Sequence, residues 1–200
     1  MIEEQYKEWL SEVSFAKNEF IKERTDWQAK GIIANKKKMN DKRPDEVIYR
    51  NTWDSVACEI GISNMIESSY LNEQDFDFRD PSTYAWDVYE KLLEHHIEIK
   101  WMSQESKWWS FTTGMYMKIK KNITRGYPDS IIVATHIPDI KADGSKVYPR
   151  LVINPHTFEK YIRQSKFNNY KPYYYDHMTA SRDEECHIFH SDINEKNSVQ

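Results

Sequence analysis

The chain has 200 residues, of which 39% are hydrophobic and 30% charged, with seven Trp, thirteen Tyr and eight Phe; this composition fits one folded α/β domain and excludes wholesale disorder. No apolar run approaches the roughly 20 residues that cross a bilayer, and the acidic N-terminus lacks the form of a signal peptide, so we expect a cytoplasmic protein with no membrane partner. A formal net charge of −4 excludes a protein that coats nucleic acid, but not one that binds it through local patches of Lys and Arg.

The first predicted element is an amphipathic helix over residues 2 to about 24. Apolar side chains recur there at helical spacing and charges fill the opposite face. The apolar set is Ile2, Tyr6, Trp9, Leu10, Val13, Ala16, Phe20 and Ile21. We expect this helix to pack on the outside of the domain or to form the contact of a homodimer.

A polar linker with a basic cluster follows at residues 34–46. Its cations are Lys36, Lys37, Lys38, Lys42 and Arg43. Two interpretations remain open. The first is a solvated loop, which is what a charge run usually is, and the second is an arm that contacts phosphates.

A second helix is predicted from Asp54, a good N-cap residue, to about Tyr70. Glu59 lies in the middle of this helix, beside its apolar face. Gly61 is a poor helix former, and its presence indicates that the helix approaches another element closely, in our interpretation a sheet.

The segment from residue 84 to residue 102 allows two interpretations. A β-hairpin would place one strand near 84–90 and another near 96–102, whereas Trp86, Tyr89, Leu92, Leu93 and His96 also fit helical spacing. The alternation of apolar and polar residues in HIEIKW favours the hairpin.

The remaining elements complete an α/β pattern. Residues 107–124 fit either a helix or a strand. Residues 130–136 are a β-branched apolar run typical of a buried strand. Residues 147–153 predict the next strand, and residues 156–164 predict a helix. The last 35 residues are polar and rich in Tyr, and we expect them to be loosely packed.

These elements predict a single α/β domain with a mixed central sheet flanked by helices. Within it, residues 1–45 would form the N-terminal helix and basic linker, residues 46–165 the core, and residues 166–200 a polar C-terminal tail.

Four residues in chain order carry the candidate chemistry. Glu59 is on a helix, Asp87 on a predicted strand, and Glu98 and Lys100 on the next strand. Residues two apart on a strand point to the same face, so Glu98 and Lys100 would project together. Carboxylates are the oxygen ligands that Mg²⁺ prefers, and a nearby lysine can stabilise a negative transition state.

This arrangement resembles the PD-(D/E)XK nuclease superfamily. The matching residues are Glu59 in ACEIGISNMIE, Asp87 in YAWDVY, and Glu98 and Lys100 in IEIKW. The resemblance covers roughly residues 53–136 and departs from the motif where Trp86, not Pro, precedes Asp87. No Gly forms a turn between residues 90 and 95, which is a further departure from a simple hairpin.

The resemblance implies a restriction endonuclease-like core and metal-dependent hydrolysis of nucleic-acid phosphodiesters, with DNA favoured over RNA. Asp87 and Glu98 would then ligate Mg²⁺ or Mn²⁺, Glu59 would assist, and Lys100 would act on the attacking water. The alternative is a non-catalytic relative that binds DNA or a protein through the same fold.

Candidate DNA contacts come from the basic segments. Lys118, Lys120, Lys121 and Arg125 form the densest one after the motif, and Lys36, Lys37 and Lys38 of the linker are further candidates. Gln104 and Lys107 follow the Glu-x-Lys strand directly, where the superfamily often places phosphate-facing residues. Neutralising phosphates at these positions would make the affinity depend on salt.

Overall fold

The structure is a computed structural model and describes residues 3–72 and 86–189. It is a mixed α/β fold, which confirms the predicted fold class of a mixed central sheet flanked by helices. The helices are α1 (Glu4–Trp9), α2 (Asn18–Asn35), α3 (Asp45–Met65), α4 (Thr113–Thr124) and α5 (His177–Arg182). The strands are β1 (Ser14–Lys17), β2 (Ser69–Leu71), β3 (Val88–Glu90), β4 (His95–Trp101), β5 (Ser110–Phe111), β6 (Ser130–Asp139), β7 (Gly144–Ile153), β8 (Ile162–Gln164), β9 (Tyr173–Tyr175) and β10 (Cys186–Ile188).

The central sheet has the strand order β1-β7-β6-β4-β3-β2, and β10 pairs with another part of β7. Strands β4 and β6 are parallel, while the other neighbours are antiparallel. The connection between the two parallel strands contains α4, as a parallel crossover requires a long connection. A small second sheet has the order β5-β9-β8.

Apolar side chains cover both faces of the central sheet. On one face, Ile97 and Ile99 pack in a core with Val56 of α3. On the other, Ile131 and Val133 pack with the aromatic residues that surround the small sheet. Because strand residues alternate between faces, Glu98, which lies between Ile97 and Ile99 on β4, points away from α3.

Gly61 explains how α3 lies so close to the sheet. A Cβ atom at this position would lie 2.4 Å from Cβ of Val147 on β7, a distance that real contacts do not reach. The predicted close approach to a sheet is therefore confirmed, and any larger residue would push α3 away from β7.

The hairpin interpretation of residues 84–102 is confirmed where the structure describes it, and the helical alternative is wrong. Strands β3 and β4 pair antiparallel with Val88 opposite Ile97. The turn needs no glycine because the buried carboxylate of Glu90 accepts the backbone N–H groups of Leu92 and Leu93 at 2.7 and 2.6 Å. Glu94 takes the left-handed conformation, with φ of 58°.

The expectation of one helix over residues 2–24 is wrong in its extent. Strand β1 interrupts it and pairs antiparallel with β7, which buries Ala16 completely. The main-chain hydrogen bonds offered by β7 override the local helical periodicity, as tertiary contacts commonly do. Tyr6 and Ile21 of the expected apolar face are buried within the chain, and the homodimer through this segment stays a prediction.

Two other boundaries differ from expectation. Helix α3 begins at Asp45 after Pro44, and not at Asp54, because the acidic side chains of Asp45 and Glu46 favour a helix N-terminus there. Asp54 is in the middle of α3, and its Oδ1 lies 2.9 Å from Nε2 of His136. The helix ends at Met65, and residues 69–71 form β2 instead.

Part of the C-terminal segment is more tightly packed than expected. Tyr175 on β9 is fully buried, and Cys186 on β10 is 4% exposed. Strand β10 pairs with Leu151–Ile153 of β7, so the chain as far as residue 189 is part of the fold. The helix predicted over residues 156–164 is wrong in its extent: Pro155–Tyr161 form a 3₁₀-helix, and Ile162–Gln164 form strand β8. In the described parts of the chain, no helix combines the length and the apolar character that crossing a membrane would need.

Candidate active site

Asp87 is held at the edge of β4 by the backbone. Strand β3 begins at Val88, opposite Ile97, so it does not pair with the C-terminal half of β4. The carboxylate of Asp87 takes this position instead: its Oδ2 accepts the backbone N–H of Ile99 at 2.7 Å. Its own N–H donates to the carbonyl of Ile97 at 2.9 Å. These two bonds fix the carboxylate beside Glu98 and Lys100.

Lys100 lies between two carboxylates. Its Nζ forms an ion pair with Oε1 of Glu98 and lies 3.7 Å from Oδ2 of Asp87. Burial lowers the pKa of Lys100, but the charges of Glu98 and Asp87 together raise it above its usual value. The lysine is therefore a protonated cation that Asp87 and Glu98 share.

Glu98 is buried beneath this cation. It is 2% exposed, and its Oε2 has no hydrogen-bond partner in the described part of the chain. Burial raises the pKa of Glu98 above its usual value, and Lys100 offsets part of that effect. The site thus contains a buried carboxylate oxygen that is available for a cation or a water molecule.

Glu59 reaches the same region from α3. The side chain is 5% exposed, and its Oε2 lies 3.3 Å from Nε2 of Gln28 and 3.5 Å from Nε of Arg24. Burial, and then the charge of Asp87, raise the pKa of Glu59 to about 7. Arg24 also donates to the carbonyl of Asn72 at 2.8 Å, which ties α2 to the chain before β3.

An open cleft of about 2070 Å³ lies over these side chains. Glu59, Asp87 and Lys100 line it, whereas Glu98 lies behind the lining. The four predicted site residues are therefore brought together, with three of them on the surface of the cleft. Their catalytic and metal-binding roles stay predictions.

Basic side chains line the same cleft, and we call them the basic rim: Arg24, Lys38, Arg43, Arg50, Lys118, Lys120, Lys121, Arg125 and Lys171. The predicted DNA contacts Lys38, Lys118, Lys120, Lys121 and Arg125 are among them. Lys120 also forms an ion pair of 2.6 Å with Glu159. A phosphodiester chain in the cleft would thus meet cations around a floor of carboxylates.

Four other predicted contacts do not line this cleft. Lys36 pairs with Asp45 at 2.6 Å, and Lys37 is exposed elsewhere. Gln104 and Lys107 are in the loop after β4, where Nζ of Lys107 lies 5.6 Å from the ring centroid of Trp108. Between Trp101 and Trp109 no residue lines the cleft, and the chain returns to it at Trp109.

Comparison with known proteins places the chain in a family. It matches the family described as Bacteriophage T4 endonuclease IV over residues 1–176, which is most of its 200 residues. The chain belongs to the Bacteriophage T4 endonuclease IV family. Endonuclease IV of Enterobacteria phage T4 is 26% identical to it over 126 residues, which cover 58% of this chain and 67% of that protein. No solved structure matches the chain.

Several residues of this endonuclease IV family member that line the cleft were not identified from the sequence: Asn51, Ser55, Arg24 and Gln28. Asn51 and Ser55 precede the predicted Glu59 at a spacing of four residues along α3, and Arg24 and Gln28 are four residues apart on α2. Side chains four apart share one face of a helix. Polar residues at that spacing, next to buried positions of the same helix such as Thr25 and Thr52, were the sequence signal for this wall of the site.

The donor set of this family member suits a hard divalent cation. Glu59, Asp87 and Glu98 supply carboxylate oxygens, and burial together with the charge of Asp87 raises the pKa of Glu59 and of Glu98, an effect that a bound cation would oppose. Within residues 3–72 and 86–189, no group of three His, Cys, Asp or Glu side chains is close enough together to hold a metal ion. Mg²⁺ does not require such a group, because it usually keeps several waters and binds through one or two carboxylates.

Proposed function

We propose that this protein is a metal-dependent endonuclease that hydrolyses phosphodiester bonds of DNA. The observation that carries the proposal is the position of Asp87, Glu98 and Lys100 at the floor of a cleft with a basic rim. Membership of an endonuclease family supports the reaction class. The order of Glu59, Asp87, Glu98 and Lys100 supports a PD-(D/E)XK type of site.

Asp87 and Glu98 are the residues that would hold Mg²⁺ or Mn²⁺, with Glu59 assisting from α3. Oε2 of Glu98, which has no hydrogen-bond partner among the described residues, and the cleft-facing carboxylate of Asp87 would supply oxygen donors. When bound, such an ion would lower the pKa of a coordinated water and stabilise negative charge on the phosphate.

The role of Lys100 follows from its charge and position. Its ammonium group is protonated, lies in the lining of the cleft and has three N–H donors. A phosphate oxygen or an attacking water beside Asp87 would accept one of these hydrogen bonds. A fixed cation in a largely buried site stabilises the negative charge that develops on the phosphate more strongly than water does.

The basic rim would orient the substrate. Its cations would neutralise phosphates and release counterions, and all but Lys171 lie in the α2–α3 segment or at α4. The nucleic-acid chain would therefore pass between these helices, over Asp87 and Lys100. Such an arrangement would let a protein of net charge −4 bind a polyanion through a local cluster of cations.

One observation favours a second candidate, a non-catalytic relative that binds DNA or a protein through the same cleft. Lys100 already pairs with both Asp87 and Glu98, and Arg24 lies beside Glu59. A site whose acids are already paired with its own cations could serve binding alone.

A circular DNA substrate distinguishes the two candidates. A circle has no ends, so only an endonuclease can open it. We expect the purified protein to nick or linearise circular DNA with Mg²⁺ or Mn²⁺ and to lose this activity when a chelator is added. Binding without cleavage under every ion condition would support the non-catalytic candidate, and cleavage in the presence of the chelator would contradict metal dependence.

A further inference from the structure

A row of aromatic rings crosses the edge of the central sheet. Tyr70 on β2 is directly opposite Tyr89 on β3, which is directly opposite His96 on β4. The ring centroids of these neighbours are 5.3 and 5.1 Å apart. Trp86 lies beside the row, 5.2 Å from the ring of His96. We call these four residues, Tyr70, Trp86, Tyr89 and His96, the aromatic row.

The aromatic row shares one face of the sheet with Glu98 and Lys100 of the candidate active site. Val88 and Ile97 alternate with the row and are buried in the core on the α3 side, so Tyr89 and His96 point to the opposite face. Glu98 is two residues beyond His96 on β4, which places it about 7 Å further along the same face. Trp86 lines the cleft next to Asp87.

The rings are accessible. Tyr70 is 40% exposed, and so is the side chain of His96, whereas the Glu98 side chain beyond them is 3% exposed. Nζ of Lys91 lies 5.1 Å from the ring centroid of Tyr70, so a cation accompanies the exposed rings. Aromatic side chains next to cations are the means by which proteins bind unpaired nucleobases without reading their sequence.

We infer that the aromatic row is a stacking surface for nucleobases next to the phosphodiester at Asp87 and Lys100. This inference rests on the proposed function, since it requires a nucleic-acid strand in the cleft. The cations of the basic rim lie mainly on α2, α3 and α4, whereas Tyr70, Tyr89 and His96 of the aromatic row lie on β2, β3 and β4. Trp86 connects the two, because it lines the cleft next to Asp87 and its ring lies 5.2 Å from that of His96. Phosphates therefore meet the cations, and the bases of the adjoining nucleotides meet the rings.

Cross-strand aromatic pairs also stabilise sheets, and a purely structural role of these rings predicts a different result from a role in binding nucleobases. If the rings only pack against one another, their removal lowers the melting temperature but does not affect how the protein distinguishes strands with bases from strands without them. The two roles can therefore be separated by a binding measurement with a substrate that lacks bases.

The experiment compares two oligonucleotides of the same length and charge, one with bases and one made only of abasic sugar-phosphate units. Binding is measured at low salt with a chelator, so that no strand is cut. The proteins are the wild type, Tyr89→Leu, Tyr70→Leu on the edge strand, and the control Tyr148→Leu on β7. Leucine keeps an apolar side chain but removes the aromatic face, and melting temperatures establish that each variant is folded.

We expect the wild type and the Tyr148 variant to bind the strand with bases at least about fivefold more tightly, since stacking contributes about 1–3 kcal/mol per base. The Tyr89 and Tyr70 variants should bind the abasic strand as the wild type does and lose this preference. Equal binding of both strands by the wild type, or an unchanged preference in both variants, would overturn the inference while leaving the proposed function in place. If the wild type binds neither strand, the proposed function itself fails.

Discussion

The carboxylate of Asp87 accepts the backbone N–H of Ile99 at 2.7 Å, so this acid completes the edge of β4 as well as lining the cleft. Asp87→Asn can keep this bond through its amide oxygen, while Asp87→Ala cannot. We therefore expect the alanine variant to be less stable than the asparagine variant by about 1 kcal/mol, as measured by urea unfolding. Both variants should be inactive in DNA cleavage. Equal stabilities of the two variants would contradict the structural role of the bond between Asp87 and the backbone of Ile99.

A second prediction concerns the buried pair of Lys100 and Glu98. Lys100→Met removes the cation from a carboxylate that is 2% exposed, and breaking a buried pair in this way costs about 3–5 kcal/mol. Adding Glu98→Gln to Lys100→Met should recover much of this loss, because the double variant has no buried charge left without a partner. Denaturant unfolding of both single variants and the double variant measures the coupling. Additive losses would show that the two side chains do not interact.

How far the sequence predicts the site depends on local spacing. The Glu-x-Lys alternation on β4 placed Glu98 and Lys100 on one face, and the buried position of Glu59 on α3 followed from its place beside apolar residues. The bond from Ile99 to Asp87 was not predictable, because it depends on where β3 begins relative to β4. Arg24 and Gln28 were not identified because their contact with Glu59 spans more than thirty residues of chain.

The fold shows the same limit. Apolar runs such as residues 130–136 identified the central strands because burial on both faces needs no knowledge of the neighbours. Strand β1 was not recognised, since its sequence continues a helical pattern and only the edge of β7 makes it a strand. The hairpin turn has no glycine that would have identified it in the sequence, because the side chain of Glu90 binds the backbone N–H groups of the turn.

A third prediction concerns Glu59. Burial raises its pKa to about 7, which means that the fold disfavours the ionised side chain. Glu59→Gln should therefore melt in metal-free buffer at the same temperature as the wild type or a few degrees higher, and it should lose less activity than the Asp87 or Glu98 variants. Glu67→Gln, an exposed change near the end of the same helix, is the control. A Glu59 variant that melts well below this control would show that the carboxylate stabilises the fold.

A fourth prediction tests the basic rim. Lys121→Ala with Arg125→Ala removes two cations that line the cleft, while Lys37→Ala with Lys107→Ala removes two that do not. The first pair should weaken DNA binding and reduce the slope of log affinity against log salt by about 0.7–0.9 per lost phosphate contact. The second pair should leave the slope unchanged. Equal slopes for both pairs would show that the basic rim is an ordinary solvated surface that does not contact phosphates.

The central claim is that Asp87 and Glu98 support metal-dependent cleavage, and DNA cleavage by Asp87→Asn and Glu98→Gln in Mg²⁺ tests it most directly. Each variant is compared with the wild type and with Lys37→Ala, at equal protein concentration and after its melting temperature has been measured. We predict that both variants stay folded and lose cleavage, because removing a carboxylate donor removes the ion's contribution to the reaction, while Lys37→Ala cleaves as the wild type does. Cleavage at the wild-type rate by either folded variant would contradict the claim.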